Sequence, residues 1–330
     1  MKAIVTGVAG FIGSNLAREL LNDGFEVIGI DNINGYYSKD LKSLRLRNLS
    51  ESSGFQFQNI DLIDRLGVER LIQETEPEHI YHLAAQAGVR LPIDSYERYV
   101  ESNLTGFSNI AIAAAKFGIP NFLYASSSSV YGNSRNLPYS ENESGLTQVS
   151  FYGATKYSNE IVANSLSICS KTKFRGMRFF TVYGPMGRPD MAYFRLIHCA
   201  LNNKKFHLYG DGTLRRDFTF ITDVITSIKL LGAELEKEKP SHSDVVNVGG
   251  GKPNSMNELI ACISATTGKK IEIIRENSAI GDVRETVADH TLQNEITGFI
   301  PEVSLEKGIE VTVEWARQPD IQTNLGFWIA

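Results

Sequence analysis

Met1-Lys2-Ala3-Ile4-Val5-Thr6-Gly7-Val8-Ala9-Gly10-Phe11-Ile12-Gly13 decides the fold. A short apolar strand, Ala3 to Thr6, runs into G-x-x-G-x-x-G. The pattern then predicts an amphipathic helix from Phe11 to Asn22 and a second apolar strand from Glu26 to Ile30, ending in Asp31. Glycines at Gly7, Gly10 and Gly13 permit a tight turn and close backbone approach, which places a pyrophosphate at the helix N-terminus. A carboxylate at the tip of the second strand accepts hydrogen bonds from a ribose 2′-hydroxyl and repels a 2′-phosphate. No Arg or Lys follows Asp31 before Lys39, so the reading favours NAD over NADP.

Outward from this turn, strands alternate with helices. Helices are predicted at Lys39 to Ser50, Val68 to Thr75, Asn103 to Phe117 and from Tyr152 through Lys171. Strands are predicted at Phe55 to Ile60, His79 to Leu83, Asn121 to Ser126 and Phe174 to Phe180. Such alternation implies an α/β fold with a Rossmann-type, doubly wound parallel sheet and ligands at the strand carboxyl ends. From about Thr181 the pattern loosens into short segments, and Leu235 to Ser243 reads as a charged surface loop. The expected organisation is a dinucleotide-binding domain over 1–180 and a smaller C-terminal substrate-binding α/β lobe over 181–330, with the chain free to cross between them.

Tyr152 and Lys156 lie four apart, on one helical face about a turn from each other. An ammonium beside a phenol stabilises the phenolate, and a phenol so lowered acts as a general base near neutral pH. Alone, Y-x-x-x-K is a weak motif. Here it follows the serine run Ser126-Ser127-Ser128-Ser129, delivered by an apolar strand, and the glycine-rich amino terminus.

With these residues, the chain resembles the extended short-chain dehydrogenase/reductases, and among them the nucleotide-sugar epimerases. The resemblance covers nearly the whole chain. Further matches are Asp61-Leu62, His82-Leu83-Ala84-Ala85, Asn103, Arg178 through Pro185, Gly210-Asp211-Gly212 with Arg216-Asp217-Phe218, and Asn247-Val248-Gly249. The nearest group is the UDP-glucuronate 4-epimerases, on Gln86-Ala87-Gly88-Val89-Arg90, Gly187 through Ala192, and Asp31-Asn32-Ile33-Asn34-Gly35-Tyr36-Tyr37.

The resemblance implies tightly bound NAD that is reduced and reoxidised within each turnover. Tyr152 is then the acid–base residue, Lys156 its partner and the holder of the nicotinamide ribose, and Ser127 the hydrogen-bond partner of the sugar C4 oxygen. It also implies cofactor contacts from Phe11, Ile12, Asn32, Asp61, Leu62, Leu83, Ala84, Ala85, Asn103, Phe180 and Val182. A decarboxylase of this family carries Glu after the serine or threonine, and a dehydratase an Asp-Glu pair; this chain has Ser128 and Ser129 there. With Thr181, these serines are short donors suited to a sugar carboxylate, and Arg188 is the candidate charge partner. Arg216 resembles the family's diphosphate arginine, Arg90 is placed to reach the diphosphate or the sugar acid, and Tyr209 or Leu208 to cover the uracil. The family's late diphosphate arginine, expected just before Gly281-Asp282, is absent; Ala279 stands near that place and Arg284 is the substitute. Other open readings are a UDP-hexose or UDP-N-acetylhexosamine (or its uronate) 4-epimerase, a dehydratase or decarboxylase, and a non-catalytic NAD-binding sensor.

The composition sets bounds. A 330-residue chain with 42% hydrophobic residues supports a sizeable core, and a net charge of −5 gives no electrostatic reason to expect nucleic acid or a membrane. The six histidines show no usual ligand spacing, so no metal is expected. Three scattered cysteines, Cys169, Cys199 and Cys262, suit a reducing cytosol. The chain enters a strand within two residues, so no signal peptide is expected. A homodimer pairing the Asn103–Phe117 and Tyr152–Lys171 helices is expected, with Ala111, Ala113, Ala114 and Ala115 letting symmetry mates approach.

Overall fold

The structure, a computed structural model, describes residues 1–89, 91–277 and 283–329. The chain opens with β1 (Lys2–Thr6), α1 (Phe11–Asn22), β2 (Glu26–Ile30), α2 (Lys39–Ser50), β3 (Phe55–Gln58), α3 (Arg65–Thr75) and β4 (His79–His82). A single turn, α4 (Glu97–Tyr99), continues through a π-helical stretch, Val100–Gly106, into α5 (Phe107–Phe117). There follow β5 (Asn121–Ser127), α6 (Phe151–Cys169) and β6 (Lys173–Phe179).

Strands β1 to β6 and the later β10 (Ser243–Val248) form a seven-stranded sheet in the order β10-β6-β5-β4-β1-β2-β3. Every pairing in it is parallel. Helices cover both faces of such a sheet, so its strands read as apolar runs; β1 is buried from Ala3 to Thr6. The order reverses between β1 and β4, which opens a crevice at their carboxyl ends. Because β10 pairs with β6, a cut at residue 180 does not separate the sheet from the remainder of the chain.

The second half is more regular than its sequence pattern predicts. After β7 (Thr181–Tyr183) come α7 (Ala192–Leu201), β8 (Lys205–Tyr209), β9 (Arg215–Phe220), α8 (Ile221–Lys237), β11 (Pro253–Ser255), α9 (Met256–Thr267), β12 (Glu272–Glu276), α10 (Thr291–Thr297), α11 (Leu305–Ala316) and α12 (Pro319–Ile329). The strands form small sheets, β11-β9-β7 and β12-β8, whose partners are distant in sequence. The Leu235–Ser243 segment is only in part a loop: α8 runs on to Lys237 with Leu235 fully buried, and Ser243 begins β10. One apolar cluster joins β1 and α1 to α7, α8, α9, α11 and α12, so the second lobe packs continuously on one face of the sheet. Ile72 of α3, Ala111 of α5 and Ala163 of α6 pack into a second cluster on its other face. No helix of the described residues is long and apolar enough to cross a membrane.

Candidate active site

A cleft of about 940 Å³ opens at the carboxyl ends of β1, β2, β4 and β5. Its floor is the glycine turn. Gly7 adopts φ +68°, and a Cβ there would stand 2.8 Å from the Ala84 backbone. A Cβ on Gly13 would collide with the Gly7 carbonyl, so no larger residue lets α1 start this close to β1. Asp31 follows β2 directly, nearly buried; its carboxylate accepts from Ala9 N at 3.1 Å and Ile33 N at 2.8 Å. Asn32 beside it donates to Asp61 Oδ2 at 2.8 Å. Phe11, Ile12, Leu62, Leu83, Ala84, Ala85, Phe180 and Val182 line the same cleft. A helix N-terminus opened by glycines, a carboxylate held by backbone N–H groups at the end of the second strand and an apolar wall fit a dinucleotide such as NAD.

Ser127 closes β5, where the chain turns into a short 3₁₀ helix, Ser128–Tyr131. Ser127 Oγ accepts from Ser129 N at 3.2 Å, which fixes the hydroxyl at the turn. Across from it, Ser150 caps α6 by accepting from Gly153 N at 3.0 Å. That cap starts the helix one residue before Tyr152 and turns both Tyr152 and Lys156 into the cleft. Lys156 is 1% exposed; its Nζ donates to Ala125 O at 2.9 Å and lies 6.0 Å from the Tyr152 ring centre.

The electrostatics differ from the sequence reading. Burial pushes the Tyr152 phenol above its ordinary value, and the groups that pull it back are the Arg188 guanidinium and the Ser127 hydroxyl, not Lys156. Lys156 is itself pushed down to about 8 by burial, because one carbonyl replaces the water an ammonium would otherwise hold.

Ser128, Ser129, Thr181, Arg188 and Arg216 also line the cleft. Arg188 Nε and Nη2 donate to the two Asp190 oxygens at 3.1 and 2.6 Å, and Nη1 reaches Ala87 O at 3.4 Å. The Tyr36 hydroxyl donates to the same Asp190 at 3.2 Å. Arg188 and the Tyr36 contact hold the Asp190 carboxyl below its usual range despite burial.

Residues 3–249 match the family described as the NAD dependent epimerase/dehydratase family. The chain belongs to that family. Protein CapI of Staphylococcus aureus is 38% identical to this epimerase-family chain over 328 residues, spanning 96% of this chain and 98% of that protein. The UDP-glucuronate 4-epimerase of Thermodesulfobacterium geofontis (strain OPF15) is 37% identical over 320 residues, 96% of either chain. UDP-glucuronic acid 4-epimerase from Bacillus cereus, solved in complex with UDP-glucuronic acid and NAD, is similar in structure with a TM-score of 0.89 and 34% identity, over 96% of this chain and 99% of that one.

Four expected site residues of this family member stand elsewhere. Asn103 is fully buried behind the wall: its Oδ1 accepts from Gln86 N at 2.8 Å and its Nδ2 donates to Thr155 Oγ1 at 3.1 Å. It ties the loop after β4 to α6 and does not line the cleft. Neither Tyr209 nor Leu208 does so either; on β8 Leu208 points into the core and Tyr209, half exposed, points out. Arg284 is exposed, and its backbone carbonyl accepts from Arg215 N at 3.0 Å, while the neighbouring Val283 and Thr286 line the cleft. Arg90, and the segment with Ala279 and Gly281-Asp282, lie outside the described residues.

Sequence reasoning missed Tyr36, Lys42 and Asp190 on the cleft wall and Arg45 behind it. Tyr36 and Asp190 lay inside quoted motifs but had no stated partner. Lys42 and Arg45 sit on a polar helix, where basic residues read as solvated. His82 is a buried neutral imidazole, pushed down to about 3 by burial and 3.0 Å from Thr6 Oγ1. Among the described residues no group of three His, Cys, Asp or Glu is placed to hold a metal ion.

Proposed function

We propose that this chain is a UDP-glucuronate 4-epimerase that interconverts UDP-glucuronate and UDP-galacturonate. The observation that carries it is one cleft wall holding Ser127, Tyr152 and Lys156 beside the glycine turn, with Ser128, Ser129, Thr181 and Arg188 in place of carboxylate bases. Bound NAD supplies a hydride acceptor that is restored within each turnover. Tyr152 takes the C4 hydroxyl proton as the C4–H bond breaks, and Ser127 holds the C4 oxygen. The resulting 4-keto sugar turns over, and Tyr152 returns the proton as hydride reaches the other face. Lys156 holds the nicotinamide ribose, and Arg188 and Ser127 favour the phenolate. Asp31 accepts from the adenosine ribose.

A 4-keto sugar with a C5 carboxylate is a β-keto acid. It loses CO₂ only when the breaking C–C bond aligns with the keto π-system, and a carboxylate held by Ser128, Ser129, Thr181 and Arg188 stays out of that alignment. A guanidinium has five N–H groups; Asp190 and Ala87 engage Arg188 without using them all. Arg216 serves the UDP diphosphate. The protein works as a homodimer in the cytoplasm: α5 and α6 expose Ile112, Ile161 and Ile168, and all three cysteines are free thiols.

Incubation with UDP-glucuronate and with UDP-glucose, followed by product NMR, tests the reading. UDP-galacturonate without CO₂ release is the expected product. Equal turnover of UDP-glucose shifts the assignment to a UDP-hexose 4-epimerase, and a pentose product shifts it to a decarboxylase.

A further inference from the structure

Arg45 is fully buried on α2, and among the described residues no carboxylate lies within salt-bridge distance of it. A buried guanidinium is costly to desolvate, so its partners must replace its hydration. All of them are oxygens of three separate segments. Nε and Nη2 both donate to Met186 O, at 3.1 and 2.7 Å, and Nη2 donates to Gly187 O at 3.0 Å. Nη1 donates to Ala9 O at 2.9 Å and to the Tyr37 hydroxyl at 2.6 Å.

Each segment belongs to a different part of the site. Ala9 lies in the glycine turn, and its N–H binds Asp31. Tyr37 follows Tyr36, the hydroxyl that reaches Asp190. Met186 and Gly187 lead directly into Arg188. Met186 has φ +60°, a left-handed conformation that a side chain of its size rarely adopts. A residue held there needs surroundings that over-determine it, and two guanidinium nitrogens on its carbonyl do so. Released from them, the 186–188 turn relaxes toward a commoner backbone and carries Arg188 with it.

We propose that Arg45 is a positioning residue that fixes the Arg188 loop against the cofactor turn and so sets the preference for a sugar acid over a neutral sugar. The proposal rests on Arg188 binding the substrate carboxylate. Arg45 does not line the cleft; it acts through the backbone that presents Arg188. Its planar fork spans three carbonyls at once, which a lysine ammonium cannot do with the same geometry.

A double-substitution cycle tests it, with KM and kcat measured for UDP-glucuronate and UDP-glucose in wild type, Arg45→Lys, Arg188→Ala and the double variant. Residues coupled in one network interact by roughly twofold to 150-fold in such cycles, with about tenfold inside that range. Arg45→Lys is therefore expected to raise KM for UDP-glucuronate about tenfold, with the loss falling on KM rather than kcat and little change for UDP-glucose. On the Arg188→Ala background, Arg45→Lys leaves the acid-to-neutral ratio where it was. If Arg188→Ala alone leaves that ratio unchanged, the carboxylate reading fails and the proposal with it. If Arg188→Ala lowers the ratio and Arg45→Lys does not, the proposal is overturned and the reading stands. Loss of retained NAD in Arg45→Lys with the ratio intact confines Arg45 to the cofactor turn and also overturns it. Arg45→Gln, neutral and still a donor, is read the same way if the lysine variant does not fold.

Discussion

Tyr152 meets two opposed influences: burial raises its phenol, and Arg188 and Ser127 lower it. Tyr152→Phe keeps the ring and removes the ionisable oxygen. Turnover is expected to fall by at least ~10²-fold, the lower range for a positioned acid–base group, with UDP-sugar binding retained. Activity near wild type would assign the proton to another group. The acid limb of the kcat/KM profile follows phenol ionisation, so activity rises with pH; removing the Arg188 cation leaves the phenol higher and moves that limb to higher pH. Lys156 gives a stability prediction of the opposite sign from an ordinary salt-bridged lysine. Burial takes it from 10.5 to about 8. Between those values the unfolded chain holds a proton that the fold does not, so stability rises with pH across that window; below pH 8 the cost of the buried charge is fully present. Lys156→Met is expected to stabilise the fold at pH 7 by on the order of 3 kcal/mol, while abolishing turnover. The gain shrinks by pH 9, and thermal melts at both pH values check it. A destabilised variant at pH 7 would mean that the Ala125 contact outweighs desolvation.

Helix α6 carries Tyr152, Lys156 and Glu160 at intervals of four, along one stripe. Glu160 is the anchor. Arg178 of β6 grips both of its oxygens at 2.9 and 2.8 Å, and Ser126 of β5 donates to it at 2.5 Å. Arg178 also donates to the Tyr131 hydroxyl, which donates in turn to Asn247 of β10. Helix α6 is thereby pinned to three adjacent strands, and its rotation is fixed one turn beyond Lys156. Glu160→Ala leaves Arg178 buried and uncompensated, so a loss of roughly 3–5 kcal/mol in urea unfolding is expected, most of it recovered when Arg178 is also replaced by Met. A loss under ~1 kcal/mol would place the pair among exposed ones. At this scale much was legible. The apolar spacing and flanking glycines mark α1, and α2 begins and ends where its pattern does. The start of the Asn103 helix was not legible: the Val100–Gly106 stretch is wound more loosely than 3.6 residues per turn, so a helical period misplaces its side chains. That winding turns Asn103 toward Gln86 and Thr155 and away from the cleft.

The doubly wound sheet could be read from local alternation because each β-α unit buries its own apolar face. The second lobe could not, because β8 finds its partner β12 across more than sixty residues and β10 returns to the first sheet. The same blindness affected the helices α5 and α6. Their alanines suggested a surface for close approach, yet Ala111, Ala113 and Ala114 are fully buried, packed inward. What these helices leave outside is different: Ile112 at 48% exposed, Ile161 at 57% and Ile168 at 74%. Ile161 and Ile168 lie two turns apart on α6, and Ile112 lies on the adjacent α5, so one apolar strip faces away from the sheet. In the proposed homodimer two such strips would meet face to face about a two-fold axis, each covering the other, as in the isologous contact of a C₂ dimer. Light scattering at micromolar concentration is expected to give twice the 36.6 kDa chain mass. Ile161→Asp puts a charge at the centre of the strip without touching the cleft, and is expected to give the single-chain mass with the fold intact by circular dichroism. A wild-type monomer at that concentration would reject the strip as an interface, and a dimer that survives Ile161→Asp would move the contact to another face.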